Sequence, residues 1–234
     1  MNGQNLTVYD FVVDIVPGAL AIVLTLSLLP AEAVNKVDVS QVTVGSSVLI
    51  VVFGYFVGHM IQAFASPIDN AVYMNHKGAY PFERALSGAK NGSVKKKFAD
   101  NIDSFFTSEE GGELRDFEKF KLTQSYLWNN NIGRAQRFQV LYTFLRSMWV
   151  LLIGAALLHT LGLIAHLYLD YGLLWTPLQS FVIIFSLAGI GVIIYFRRVK
   201  YHDMMVDALI FDFYANILND EEENDGKSVE NRDL

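Results

Sequence analysis

Four stretches of this chain are long, apolar and nearly free of charge, and they constrain its fold more than anything else: residues 11–29, 44–65, 147–169 and 173–196. A bilayer core about 30 Å thick takes roughly 20 helical residues to cross, and each stretch has about that length. The pattern predicts an all-α integral membrane protein with four transmembrane helices. An apolar content of 52% over 234 residues agrees, being high for a soluble acidic chain. The first stretch starts beside Asp10 and Asp14, meets Pro17-Gly18 one turn in and stops at Pro30. The second is expected to close at Ser66-Pro67, because proline cannot continue the hydrogen-bond ladder. Only Asp170-Tyr171-Gly172 separates the third from the fourth, which dictates a tight antiparallel hairpin. A cleaved signal peptide competes for the first stretch, but no Lys or Arg precedes it and no small-residue cleavage pattern is evident.

The spans divide the chain into a first transmembrane hairpin (1–65), a polar insert (66–139), a second hairpin (140–197), a further helix (198–218) and an acidic tail expected to be disordered (219–234). Basic residues are unevenly spread. The first loop has Lys36 alone and the third none, whereas eleven lie between Lys77 and Arg137, followed by Arg146, Arg197, Arg198, Lys200, Lys227 and Arg232. The positive-inside rule then places the insert and both termini in the cytoplasm of a multi-pass inner-membrane protein.

The insert reads as a small helical domain. Val94, Phe98, Ile102 and Phe105 recur at helical intervals, with Lys95, Lys96, Asp100 and Asp103 on the other face. A second helix is expected after Gly111-Gly112, with Leu114, Phe117, Leu122 and Tyr126 buried and Arg115, Glu118, Lys119 and Lys121 wet. From Ile132, Phe138, Leu141 and Leu145 run without a breaker into the third span. After the fourth span, Met204, Met205, Leu209, Ile210, Phe213, Tyr214 and Ile217 give a helix apolar over a wide arc. It must bury that arc against the insert, a second subunit or the membrane surface. In the first loop Val37, Val39, Val42 and Thr43 suggest a short extended piece.

Few residues carry chemistry. Gly54 and Gly58 form a Gly-x-x-x-Gly pair, which lets helices approach closely in lipid. His59 and Gln62 share one face near the end of the same span, and His159 and His166 share one in the third. Such groups either hydrogen-bond to another helix or face a water-filled path. Asp14 ahead of the Pro17-Gly18 kink reads as a helix start or as part of a cation pathway. In the insert, Lys95, Lys96, Lys97, Arg134 and Arg137, with Trp128 nearby in sequence, are the residue types that hold a nucleotide or single-stranded nucleic acid, since phosphates want cations and bases want stacking faces. Eleven Lys plus Arg against nine Asp plus Glu in the insert make a net of only about +2, so a solvated face or contact with anionic lipid competes. There are no cysteines and no phosphate-loop, nucleophile-elbow, zinc-protease or dinucleotide motif. No catalysis, metal or cofactor is expected.

Tyr9-Asp10-Phe11 with Pro17-Gly18, and Gly54-Tyr55 with Gly58-His59-Met60, look like a pattern recurring in small prokaryotic multi-span proteins, some similar to effectors of phage defence. A few spans with a compact cytoplasmic helical domain resembles the channel-forming effector of the Hailong anti-phage system. That resemblance implies an oligomeric ion channel under a crown that binds a single-stranded DNA signal. The expected function is a homo-oligomeric, ligand-gated membrane channel. The alternatives are a non-conducting anchor or scaffold that docks a protein partner through the insert and the last helix and, behind it, an intramembrane or lipid-modifying enzyme.

Overall fold

The structure, a computed structural model, describes residues 8–34, 44–90, 93–106, 114–130, 134–169 and 171–230. The described residues are helices and connections, without a strand. The helices are α1 (Val8–Leu26), α2 (Ala31–Val34), α3 (Val44–Lys77), α4 (Pro81–Ser87), α5 (Val94–Phe106), α6 (Asp116–Asn129), α7 (Arg134–Leu169) and α8 (Pro177–Glu230). Three of them, α3, α7 and α8, are long and apolar enough to cross a membrane, while α1 is a shorter apolar helix. The expected extended piece at 37–43 and the Gly111-Gly112 break lie outside the described residues, as do the side chains of the acidic tail.

The chain forms two compact units. Unit 1 takes the residues up to His76 and Val140–Val199; unit 2 takes Lys77–Gln139 and the residues from Lys200 onward.

In unit 1 the expected stop at Ser66-Pro67 is not where the helix ends. Pro67 lies inside α3, which continues to Lys77, so residues 66–76 belong with the membrane helices rather than with the insert. Proline removes one ladder bond and strains the turn before it. The turns beyond it offset that loss through the bonds of buried Asp69 to Arg198 and Trp149 and the packing of Tyr73 on the Arg198 guanidinium. Gly78, with φ +75°, then takes the left-handed conformation that ends a helix. Helix α8 likewise shows no break after the fourth apolar stretch: the expected separate helix at 198–218 is its continuation, since nothing from Phe196 to Met204 interrupts helical backbone. The helical backbone extends through Glu230, into the stretch expected to be disordered; Glu, which recurs there, is a good helix former.

The glycine pair packs as its spacing suggests, against α1. A Cβ added at Gly18 would fall 1.7 Å from the Gly54 carbonyl oxygen, and one at Gly58 would fall 1.8 Å from that of Asp14. The two backbones touch where side chains are missing, which spends this small-residue face within one subunit.

Unit 2 is a helical bundle around Phe82 of α4, Phe98 and Ile102 of α5, Leu127 of α6, Ala135 of α7 and Met205–Phe213 of α8. Phe213 is its aromatic hub, with ring centroids 5.1–5.6 Å from Phe98, Phe105, Phe106 and Tyr126. Met205, Leu209, Ile210 and Phe213 of the apolar arc of α8 are therefore covered by the helices of its own unit, while Met204 stays exposed. Helix α4 was not foreseen; Pro81 opens it and the Tyr80 amide donates to the Glu83 carboxylate at 3.3 Å. The expected buried stripe of α6 is corrected. Phe117 is 66% exposed and Leu122 is exposed, while Lys119, Thr123, Gln124 and Leu127 are buried. Positions 117 and 122 are five apart and cannot share a face; 120, 123, 124 and 127 can. Lys119, expected wet, donates to Asp103 at 2.9 Å.

Candidate functional site

Two polar clusters occupy unit 1. The first joins the sequence-predicted residues of two helices. The Gln62 amide donates to Asp14 at 2.5 Å, and His59 Nδ1 lies 3.8 Å from the other carboxylate oxygen. The Gly18–Gly54–Gly58 crossing creates this group, because close backbones bring the side chains one turn away within reach. Asp14 is buried, whereas the His59 side chain is 72% exposed. Its ring stacks on Tyr55 with centroids 6.4 Å apart, and Phe53, Phe56, Met60 and Phe64 of the same helix are exposed. His159 lies elsewhere. Its Nδ1 faces the Ala155 carbonyl at 2.9 Å and its Nε2 meets the Ser27 hydroxyl at 3.0 Å. A carbonyl only accepts, so Nδ1 donates; the Ser27 hydroxyl, with a single proton, faces both Nε2 and the Leu24 carbonyl, the latter at 2.7 Å. His166 Nδ1 instead meets the Tyr171 carbonyl, so the two histidines serve different partners.

The second cluster was missed by sequence reasoning. Asp69 of α3, Tyr142 and Trp149 of α7 and Arg198 of α8 meet inside unit 1. Arg198 Nη2 donates to Asp69, the Trp149 indole N–H donates to Asp69 at 2.8 Å, and Arg198 Nη2 also lies 3.2 Å from the Tyr142 hydroxyl. Arg198 and Asp69 are both fully buried. The guanidinium lies 4.6 Å from the Tyr73 ring and 4.8 Å from the Tyr142 ring, within cation–π range. Arg146 joins the rim, 5.5 Å from the same Tyr142 ring, with Nη1 3.5 Å from the Ser66 hydroxyl. In the sequence, Asp69 stood only as one of the insert's acids and Arg198 as one of the positive-inside residues. The available signal was alignment: in three helices a charge falls just where an apolar stretch ends, with Tyr or Trp close by.

Unit 2 places the predicted anion-binding residues apart. Lys95 pairs with Asp207 at 2.5 Å, Lys96 with Asp100 at 2.8 Å, and Arg134 with Asp212 through Nε and Nη2. Arg84 pairs with Asp203 at 2.5 Å. Three carboxylates of α8 thus each hold a cation from a different helix, α4, α5 or α7. The Asp212 carboxylate raises the Arg134 pKa, by hydrogen bonding and then by charge. A shallow groove of about 380 Å³ runs past Arg134, Phe138, Met204, Asp207, Ala208 and Phe211. Lys96, Lys97, Trp128 and Arg137 do not line it, and no carboxylate among the described residues lies within 4.0 Å of Lys97 or Arg137. Among the described residues no three His, Asp or Glu side chains converge as metal ligands. No protein-family model, curated protein or solved structure matches this chain.

Proposed function

We propose that this protein is the subunit of a homo-oligomeric membrane channel whose conduction is controlled by a ligand on its helical domain. The carrying observation is the Asp14–Gln62–His59 group. An ionisable side chain at membrane depth costs several kcal/mol unless it meets water or another polar group. His59 is largely exposed, stacked on Tyr55, in a helix whose Phe53, Phe56, Met60 and Phe64 are exposed as well. A second copy or a water-filled path must cover it, and both are supplied where subunits assemble around a pore. Asp14 then supplies the cation-attracting charge and Gln62 fixes its orientation.

In this reading α1 is a fourth span, since 19 residues rising 1.5 Å each reach roughly 28 Å. The chain sits in the inner membrane with unit 2 and both termini in the cytoplasm, as the basic residues favour. Helices α7 and α8 each contribute residues to both units, which offers a route for a ligand-driven shift. The ligand is an anion, a nucleotide or single-stranded DNA among the possibilities, and an anti-phage effector that depolarises the membrane is the matching biological role. Most of the cations proposed for it are already paired, so Lys97 and Arg137 are the first to test. The scaffold reading has less to support it, because Met205, Leu209, Ile210 and Phe213 of the apolar arc of α8 are covered within unit 2.

The test is the mass of the purified chain in nanodiscs, followed by ion flux from vesicles. A closed ring whose flux falls at least tenfold in Asp14→Asn supports the channel. A monomer, or a ring whose flux ignores Asp14, sinks it.

A further inference from the structure

The Asp69–Arg198 cluster holds more positive charge than its own residues neutralise. Two guanidiniums, Arg146 and Arg198, lie against one Tyr142 ring, and Asp69 is the carboxylate bonded there. Trp149 adds a neutral donor to that carboxylate, so its acceptor capacity is shared. Arg198 Nε and Nη1 and Arg146 Nε are buried with no acceptor among the described residues. A buried guanidinium N–H without an acceptor is costly, and more so beside a second cation.

The position of the cluster narrows what would satisfy it. Ser66 and Asp69 follow the apolar stretch of α3, Tyr142 and Arg146 precede that of α7, and Arg198 follows that of α8. All three helices therefore put their charges at one level, the end of the hydrocarbon-crossing segment. Tyr73, Tyr142 and Trp149 are buried around the pair, and Tyr195 packs on Trp149. Phosphate is the anion found at that depth. Its oxygens accept several N–H bonds at once, which suits forked guanidinium donors.

We infer that Arg146, over the charge of Arg198, forms a binding site for a phosphate-bearing anion, either the headgroup of an anionic phospholipid or a soluble phosphate. Arg146 is the accessible member and touches the anion; Arg198 is the floor, acting through its charge. Asp69 holds Arg198 in place and limits the affinity, because it is the carboxylate that competes. The site is independent of whether the chain conducts ions.

The experiment uses the full chain in nanodiscs of phosphatidylcholine containing a minor fraction of phosphatidylglycerol, with bound lipid read by native mass spectrometry. A parallel arm titrates inorganic phosphate into the chain in uncharged detergent and follows the melting temperature. Wild type is expected to retain phosphatidylglycerol over phosphatidylcholine or to be stabilised by phosphate; the first result assigns the headgroup, the second the soluble anion. Arg146→Gln leaves the Asp69–Arg198 pair intact and should lower that binding about fivefold, the worth of one cation near a surface. Asp69→Asn should raise it, which loss of structure would not do. Arg197→Gln, at an exposed arginine beside the cluster, should leave it near the wild-type value. Wild type that shows neither lipid preference nor phosphate response overturns the site without any variant. Equal losses in Arg146→Gln and Arg197→Gln also overturn it, by making the effect that of a general cationic surface.

Discussion

Unit 1 is poor in charged residues and unit 2 rich in them, and the two differ in what they leave exposed. In unit 1 the fully buried side chains include Arg198 and Asp69, while Phe53, Phe56, Phe64, Phe181 and Phe185 are exposed. In unit 2 the fully buried ones include Phe98, Ile102, Leu127, Leu209 and Phe213; Lys119 and Asp212 are buried too, but the ion pairs of Arg84, Lys95 and Lys96 stand at the rim, a third to a half exposed. The hydrophobic effect organises unit 2, as it does a water-soluble bundle. It cannot organise unit 1, because lipid tails are as apolar as the side chains they would replace. What must be hidden there is charge, and what draws the helices together is backbone contact at Gly18, Gly54 and Gly58 with hydrogen bonds from Gln62 and Arg198. The same chain follows two solvation rules.

The sharpest way to break this contrast is to leave one charge of unit 1 without its partner. Arg198→Met strands a buried Asp69 and should cost about 3–5 kcal/mol, whereas Arg198→Met with Asp69→Leu should recover a large part of that loss. Thermal unfolding in detergent reads both. If the double variant is no better than the single one, the cluster stabilises by packing and the charge argument is wrong.

Paired phenylalanine truncations sharpen the comparison from the apolar side. Phe213→Ala empties the aromatic hub of unit 2 and should cost about 3–5 kcal/mol. Phe185→Ala removes a ring that is 71% exposed on α8 and should change stability by less than about 0.5 kcal/mol. Similar losses at the two sites in denaturant unfolding would mean that Phe185 is covered by a second copy of the chain. That outcome would erase the lipid-facing half of the contrast and favour an oligomer.

What could be read from the residues alone follows the same line. The apolar stretches of α3, α7 and α8 were legible because length and lack of charge are one-dimensional properties. The buried face of α5 at Phe98 and Ile102 was legible because water is its solvent and helical period is enough. The continuation of α3 past Pro67 was not, since the contacts that outweigh the lost ladder bond are made by Asp69 and Tyr73 with residues over seventy positions away. The face of α6 was misread because Lys119, a residue type almost never buried, goes inside once Asp103 meets it. At the candidate site, Gln62 and His59 were visible as a pair at helical spacing, but their shared partner Asp14 depends on a helix crossing that no local pattern encodes. Lys95 and Arg134 looked free because Asp207 and Asp212 lie far along the chain.

The smallest effect concerns pH, at the start of α6 in the water-organised unit. The Arg115 side chain and then its backbone amide hydrogen-bond the Glu118 carboxylate, at 2.7 and 3.0 Å, and hold its pKa below the ordinary carboxylate value. A carboxyl that is more acidic in the folded state contributes stability that is fully present above its unfolded pKa and disappears as pH falls through its folded one. Glu118→Gln should therefore lie slightly below wild type near neutral pH and converge with it in acid, at pH values under the usual Glu range. The pair is exposed, so salt should shrink the difference as well. Melting curves of both proteins across that range, in low and high salt, test it. A gap that persists in acid would mean that Glu118 acts through packing, and the rim charges of unit 2 would then resemble the buried ones of unit 1 more closely than their exposure implies.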